Sequence, residues 1–289
     1  MKTKIKIEKG KLYLITGATG FLGKQLTKAV LERGGKVRAL SRNEGKLISL
    51  KQEFPEVETY PGDVSDPFEI HQAFNGVTGV FHLAASKHVG LAEKFCRECV
   101  KTNVLGTINI LEESLKNKPK FVLGISTDKA AQVSGVYGAS KLLMERLFKQ
   151  YEKLNSDTKY RIVRYGNVLY STGSVLCKWK ELIKGSKQVI VTDPSATRFF
   201  WTVDEAISLI FECMEKSTNS NPFVPDMKSM KIGDLLEAMR RKYSASNASL
   251  NIKTIGLQEG ENLHEKVRDE GPYSNEVEQY TIEEIMEKI

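Results

Sequence analysis

Tyr137 and Lys141 stand four residues apart in Tyr137-Gly138-Ala139-Ser140-Lys141, a spacing that stacks two side chains on one face of a helix. There a lysine ammonium favours the phenolate, and a tyrosine so activated takes the proton of a substrate hydroxyl while hydride leaves the same carbon. A Y-x-x-x-K is frequent by chance. This one opens a helical pattern just after the apolar run Phe121–Ile125, and a hydride acceptor's fingerprint lies upstream of it.

That fingerprint is Gly17-Ala18-Thr19-Gly20-Phe21-Leu22-Gly23, entered directly from Leu12–Thr16 and followed by a helical pattern through Arg33. Its glycines let the backbone turn tightly against a pyrophosphate, and the helix N-terminus offers unpaired N–H donors and a favourable dipole. A glycine pattern alone is weak; its place between strand and helix argues against a plain structural turn. The second strand ends Ala39-Leu40-Ser41-Arg42, without the acidic residue that would accept from a free adenosine ribose. Arg42 stands where a 2′-phosphate would lie, which favours NADP over NAD, with Ser41 and Lys46 as helpers; the plainer alternative is a surface arginine. Asp63, in Gly62-Asp63-Val64 after the third strand, is placed for the adenine amine, although Asp is also common in turns.

Such groups need a frame. Short apolar runs alternate with amphipathic stretches through the first half, the pattern of βαβ units and a parallel sheet. Expected strands are Leu12–Thr16, Lys36–Leu40, Val57–Tyr60, Val80–Leu83, Phe121–Ile125 and Arg161–Arg164. The expected fold is α/β, a Rossmann doubly wound parallel sheet with a smaller C-terminal substrate-binding region. Residues 1–165 form the NADP-binding part; 166–289 are mainly substrate-binding, with interleaving into the sheet allowed. The later part carries a loop (YSTGSV), an apolar run at Val189–Val191, a TRFFWT segment whose aromatics read as core, and helices around Val203–Met214 and Ile232–Arg241. Ligands of open parallel sheets bind outside the carboxyl ends of the strands, so the polar strand ends are where chemistry is sought.

At 289 residues the chain suits one large α/β domain or a cofactor domain with a lobe. Its 40% hydrophobic and 27% charged content excludes a disordered or fibrous chain. The longest apolar stretches, Val80–Ala85 and Phe121–Ile125, are too short for a bilayer and no signal peptide opens the chain, so a cytoplasmic enzyme without a membrane partner is expected. Four cysteines make no disulfide framework, and the lone C-x-x-C of Cys96 and Cys99 lacks a second pair and reads as helical. His82 and His264 have no metal-ligand spacing, so no metal is expected. The +7 charge is spread through the chain apart from the MKTKIKIEKGK start, without interleaved aromatics. It reads as a solvated surface that attracts phosphorylated ligands, not as a nucleic-acid site.

Taken together, GATGFLG, HLAASKHV, TNVLGT, STDKAA, YGASK and RYGNV resemble the extended short-chain dehydrogenase/reductase family over nearly the whole chain. Within it, STDKAA with SKHV, GSV, TRFFWT and GLQEGENLHE is most similar to the UDP-N-acetylglucosamine 4,6-dehydratases of the polysaccharide biosynthesis type, especially the soluble C5-inverting branch. The resemblance implies UDP-N-acetylglucosamine as substrate and NADP as cofactor. It further implies a cycle in which Tyr137, assisted by Lys141, deprotonates the 4-hydroxyl as hydride passes from C4 to the cofactor. Lys129 then removes the C5 proton, Asp128 protonates the departing 6-hydroxyl, and hydride returns to C6. A carboxyl and an amine in one desolvated pocket can have their pKa values displaced toward such roles. Thr127 would orient the sugar, whereas the plainer alternative has Thr127-Asp128 capping the next segment. By the same resemblance Ala84, Ala85 and Ser86 line the nicotinamide side and Asn103 supports the active-site geometry. Lys87 and His88 face the pocket mouth, and Asn167, Arg198 and Glu261 hold the uridine diphosphate or ribose. Relatives are commonly homo-oligomers.

A sugar-nucleotide 4-epimerase or ketoreductase would use the same Tyr and Lys pair but needs no Asp–Lys couple. The dTDP-glucose dehydratases resemble a Thr-Asp-Glu pattern, against Lys129 in the third place here. Membrane-anchored retaining relatives tend to carry methionine where Tyr137 stands, yet retention at C5 stays open. A non-enzymatic NADP sensor would need none of Thr127, Asp128, Lys129, Tyr137 and Lys141.

Overall fold

Each apolar run of the first half forms a strand, and each amphipathic stretch a helix that carries the chain back along the sheet. The computed structural model describes residues 4–244 and 251–289; the first three residues of the lysine-rich opening lie outside the described residues. The first half runs β1 (Leu12–Thr16), α1 (Phe21–Glu32), β2 (Lys36–Ser41), α2 (Glu44–Glu53), β3 (Glu58–Pro61), α3 (Pro67–Ala73) and β4 (Gly79–His82). It continues through α4 (Val89–Lys94), α5 (Cys96–Val100), α6 (Gly106–Asn117), β5 (Phe121–Thr127), α7 (Val136–Leu154) and β6 (Lys159–Tyr165). A π-helical turn, Lys101–Leu105, joins α5 to α6. The six strands fall within two residues of the bounds expected from sequence.

The second half adds β7 (Asn167–Val168), α8 (Val175–Lys184), β8 (Val189–Val191), β9 (Thr197–Arg198), β10 (Phe200–Trp201) and α9 (Val203–Lys216). Then come β11 (Pro222–Phe223), β12 (Met230–Lys231), α10 (Ile232–Tyr243), β13 (Ile252–Thr254) and α11 (Ile282–Lys288).

The main sheet has the order β11-β6-β5-β4-β1-β2-β3, and every neighbouring pair is parallel. The order in which successive strands are added reverses between β1 and β4, and the carboxyl ends there open the crevice in which such sheets bind ligands. Strand residues alternate between two cores. Tyr13 and Ile15 of β1 pack with α1 and α9, while Leu14 packs with Ile110 of α6 and Met144 and Phe148 of α7. Each such side chain contributes roughly 1.5–3 kcal/mol by leaving water.

A third core forms away from the sheet, where Leu176, Trp179 and Ile183 of α8 meet Leu235, Leu236 and Met239 of α10 and Ile285 of α11. Residues 166–289 feed both bodies, because α9 buries Ile207, Leu209, Ile210 and Met214 in a sheet-side core and β11 pairs with β6. TRFFWT marks the crossing: Phe199 and Trp201 enter the sheet core and Phe200, pointing the other way, enters the smaller one, as a period of two requires. Thr202 and Glu205 then form a capping box that starts α9.

Candidate active site

Gly17 leaves β1 with φ of +69°, and a Cβ there would lie 2.8 Å from the backbone nitrogen of Ala84. Only glycine lets this turn pass so close to the end of β4. Gly20 caps α1 with no side-chain bond to the helix, so the N–H groups of Phe21, Leu22 and Gly23 keep no intrahelical partner. That cradle fits a pyrophosphate. Thr19 Oγ1 and Ser41 Oγ, 2.7 Å apart, tie the turn to the end of β2. Arg42, two-thirds exposed, lies 3.6 Å from the Asp63 carboxylate, so the residues expected on phosphate and adenine face each other. Burial pushes the Asp63 carboxyl up, but bonds from Ser65 and the Arg42 charge outweigh it and hold the group below its ordinary range. Val64 is buried, and its carbonyl accepts from Asn109 at 2.9 Å. Lys46 is exposed, and its backbone N–H donates to the Asn43 side chain that caps α2.

Beside this cradle, Thr16 Oγ1 accepts from the backbone of Leu83 and Ala84 and bonds His82 Nδ1 at 2.8 Å. His82 is buried, and burial, with the Lys141 charge, pulls its pKa down to about 3, so it is a neutral structural residue. Ala84 to Ser86 continue from β4. Asn103, on the π-helical turn, accepts from the Ser86 N–H at 2.7 Å and donates to the Ser86 carbonyl and to Ser140 Oγ. Ser140 Oγ in turn donates to the Tyr137 carbonyl. One buried amide thus fixes the β4 loop against the first turn of α7, the turn that carries Tyr137.

At the end of β5 the polar groups form a continuous chain. The Tyr137 hydroxyl stands beside Thr127 and Lys129, both of which favour its ionised form. Thr127 Oγ1 donates to Asp128 Oδ1 at 2.9 Å, and Lys129 Nζ donates to the same oxygen at 3.1 Å. Lys129 also lies 3.6 Å from Glu265, whose carboxylate is 3.8 Å from Arg198 Nε. Asp128 is fully buried and its second oxygen, Oδ2, has no partner. A desolvated acceptor left unpaired costs about 1–3 kcal/mol, a cost removed if the oxygen carries a proton or meets a donor.

Two electrostatic features depart from the sequence-based expectation. Burial works to lower the Lys129 pKa, but Asp128 and Glu265 outweigh it, so the amine rests as a firmly held ammonium and not as a ready base. The cation that faces the phenol is Lys129, not Lys141. Burial pushes Tyr137 up to about 12 against the Lys129 charge and the Thr127 bond. Lys141, also buried, sits 2.9 Å from the Met144 sulfur, and burial brings its pKa down to about 8 despite Glu145.

The structure gathers Thr127, Asp128, Lys129, Tyr137 and Arg198 in this one cluster. Arg198 Nη1 donates to the carbonyls of Thr197 and Leu263. Asn167 bonds the Phe199 carbonyl. Lys87 and His88 are exposed, with Lys87 reaching the Thr172 carbonyl, and the Glu261 carboxylate accepts from the Gln258 backbone. Sequence reasoning missed Glu265, the second acid of GENLHE, and Glu145, which pairs bidentately with Arg164 at 2.9 and 2.6 Å. For Glu145 a signal existed: it lies four residues beyond Lys141 and so on the same helix face. Among the described residues no cluster of His, Cys, Asp or Glu could hold a metal ion, and no helix is long and apolar enough to cross a membrane.

The UDP-N-acetylglucosamine 4,6-dehydratase (inverting) of Campylobacter jejuni serotype O:2 is 37% identical over 259 residues, covering 87% of this chain and 75% of its own. The UDP-glucose 4-epimerase of Rickettsia rickettsii is 34% identical over 89% of this chain and 77% of its own. The X-ray structure of Pen from Bacillus thuringiensis superposes with a TM-score of 0.90 at 30% identity, covering 96% of both chains. The profile of the polysaccharide biosynthesis protein family matches residues 13–287, and the chain belongs to that family.

Proposed function

We propose that the protein is an NADP-dependent UDP-N-acetylglucosamine 4,6-dehydratase that inverts C5. The observation that carries this reading is the buried Asp128–Lys129 couple, with one Asp128 oxygen unpartnered. A redox-only enzyme would bury that couple at a cost and gain nothing from it. The likeness to the Campylobacter dehydratase over most of both chains supports the substrate.

Bound nicotinamide supplies the hydride acceptor at C4 and the donor at C6. Tyr137 receives the 4-hydroxyl proton, with Lys129 and Thr127 offsetting the burial that otherwise keeps the phenol neutral. The resting ion pair becomes the working couple by one internal transfer: the proton of Lys129 crosses the hydrogen bond to Asp128, whose nitrogen and oxygen are 3.1 Å apart, and leaves a neutral acid beside a neutral amine. No net charge enters or leaves, and a substrate that excludes water favours the neutral form. Lys129 then takes the C5 proton while protonated Asp128 gives its proton to the departing 6-hydroxyl. Arg42, exposed beside the cradle, supports NADP over NAD through pairing with a 2′-phosphate. We place the enzyme in the cytoplasm as a homo-oligomer, with Lys87, His88, Asn167, Arg198 and Glu261 toward the nucleotide sugar.

A 4-epimerase is the second reading, favoured by the Rickettsia relative. Proton NMR of the protein with UDP-N-acetylglucosamine and NADP⁺ decides between them. A new C6 methyl doublet establishes the dehydratase, and the H5 coupling reads the stereochemistry. Conversion to the galacto epimer without a methyl signal replaces this proposal by the second reading.

A further inference from the structure

Glu265 is buried at 1% exposure, in a segment 136 residues beyond Lys129. Its Oε1 lies 3.6 Å from Lys129 Nζ and 3.8 Å from Arg198 Nε, while Asn262 Nδ2 donates to Oε2 at 3.4 Å. Its backbone N–H donates to the Ser274 hydroxyl, which fixes the segment that carries it. The charged and titratable groups around Lys129 are therefore Asp128 from its own turn, Tyr137 from α7, Arg198 from β9 and Glu265. With all of the carboxylates and cations charged, two negative groups balance two positive ones. Asp128 alone would suffice to pair Lys129, so the second buried carboxylate is unexplained by the acid–base couple itself.

We infer that Glu265 is a positioning residue for elimination: from 3.6 Å it holds the Lys129 amine in place for its proton exchange with Asp128 and with C5 of the sugar. This rests on the dehydratase reading. In that step the C5–H bond breaks and its proton forms an N–H bond on Lys129. The electron pair becomes the C5–C6 double bond, the C6–O bond breaks, and the proton of Asp128 completes a water molecule. Positive charge thus appears on Lys129 as Asp128 becomes anionic. Glu265 holds the ammonium at rest as it does after proton capture, so its contribution is the placing of Lys129 and not a preference for one charge state.

The test is Glu265→Gln, which keeps shape and hydrogen bonding and removes the charge, with Glu265→Asp as the charge-keeping control. One readout needs no substrate: the Lys129 ammonium, followed by NMR of ¹³C-labelled lysine and assigned with Lys129→Met, should titrate at lower pH in Glu265→Gln. The second is catalytic. Formation of the 6-deoxy product should fall about 10- to 100-fold, as for a misplaced reacting group, with KM nearly unchanged, while reduced cofactor accumulates at 340 nm because C4 oxidation precedes the impaired step. Glu265→Asp should restore much of both. An unchanged Lys129 titration, or equal loss of C4 oxidation and elimination, overturns the inference. If Glu265→Gln yields no folded protein, the same readouts on Asn262→Ala, which loosens the carboxylate, must move in the same direction or the inference falls. A wild-type protein that makes no methyl product would defeat the dehydratase reading instead, and would leave the Lys129 titration as a separate result.

Discussion

Replacing Lys129 with methionine keeps the side chain's length and removes its charge, and the consequence for stability can be worked out from the geometry. The ammonium lies 3.1 Å from Asp128 and 3.6 Å from Glu265, two carboxylates that are 0% and 1% exposed. Among the described residues Arg198, 3.8 Å from Glu265, is the cation that remains to face them. Stranding a buried charge costs about 3–5 kcal/mol. Proton uptake limits that cost: protonating one carboxyl of ordinary pKa at pH 7 takes about 1.4 kcal/mol per unit over nearly three units, or about 3–4 kcal/mol. The sign follows from linkage. Glu265, already pushed up by burial, loses its main opposing charge, so the folded variant binds a proton that the unfolded chain releases. Its stability is then retained below the ordinary carboxyl range and lost as pH rises. The wild-type Lys129, raised above an ordinary value near 10.5, contributes its stabilisation fully across pH 5–7. The difference between the two proteins should therefore grow with pH, from at most about 1 kcal/mol at pH 5 to at most about 3–4 kcal/mol at pH 7, the upward shift of Glu265 in the wild type taking back part of it. Urea unfolding of both at pH 5, 6 and 7 measures it. A difference that stays flat with pH would refute the buried-carboxylate argument, whatever its size.

Asp128→Asn should lower formation of the methyl product by about 10²–10⁴-fold, the range of a lost general acid, while C4 oxidation, followed at 340 nm, proceeds; loss of both signals would count against the assignment. Arg42→Ala should raise KM for NADP⁺ about tenfold or more, as for a lost charge-assisted bond, and leave KM for NAD⁺ nearly unchanged; equal effects would remove the phosphate-pairing role. Lys141, brought down to about 8, is charged below that pH and neutral above it. Steady-state rates should nonetheless show no step centred near pH 8, because the charge acting on the phenol is that of Lys129; a decline through pH 8 would show that the Lys141 charge is used.

The sheet and the cradle are legible in the sequence because local pattern and local chemistry agree there. Leu12–Thr16 is a continuous apolar run, and the glycines after it are demanded by a turn that the backbone must make against Ala84. The seventh strand was not legible, since Pro222–Phe223 is too short to show a period, and the π-helical turn at Asn103 has no pattern distinct from an α-helix. The electrostatics were the least legible. Tyr137 and Lys141 share a helix face, yet Lys141 turns to Met144 and the charge beside the phenol comes from Lys129. Spacing gives adjacency along a helix, but burial and partners brought in from elsewhere decide which charge acts on which group.

That distinction separates the two halves of the proposed chemistry. Thr127, Asp128, Lys129, Tyr137 and Lys141 all come from β5, the turn after it and α7, so a sheet carrying only these could perform hydride chemistry at a hydroxyl. Arg198 and Glu265 come from segments that return after β6. They arrive held to one another: Thr197 forms a bridge with His264, its hydroxyl bonds Ser274 and the His264 ring, and Ser274 Oγ receives the Glu265 N–H. Arg164 fastens the same stretch to α7 by bonding Glu145 on one side and the Val267 carbonyl and Asp269 on the other. The second carboxylate of the proposed elimination site is therefore supplied by docking of the returning chain. Anything that loosens that docking should impair water loss from the sugar before it impairs oxidation at C4.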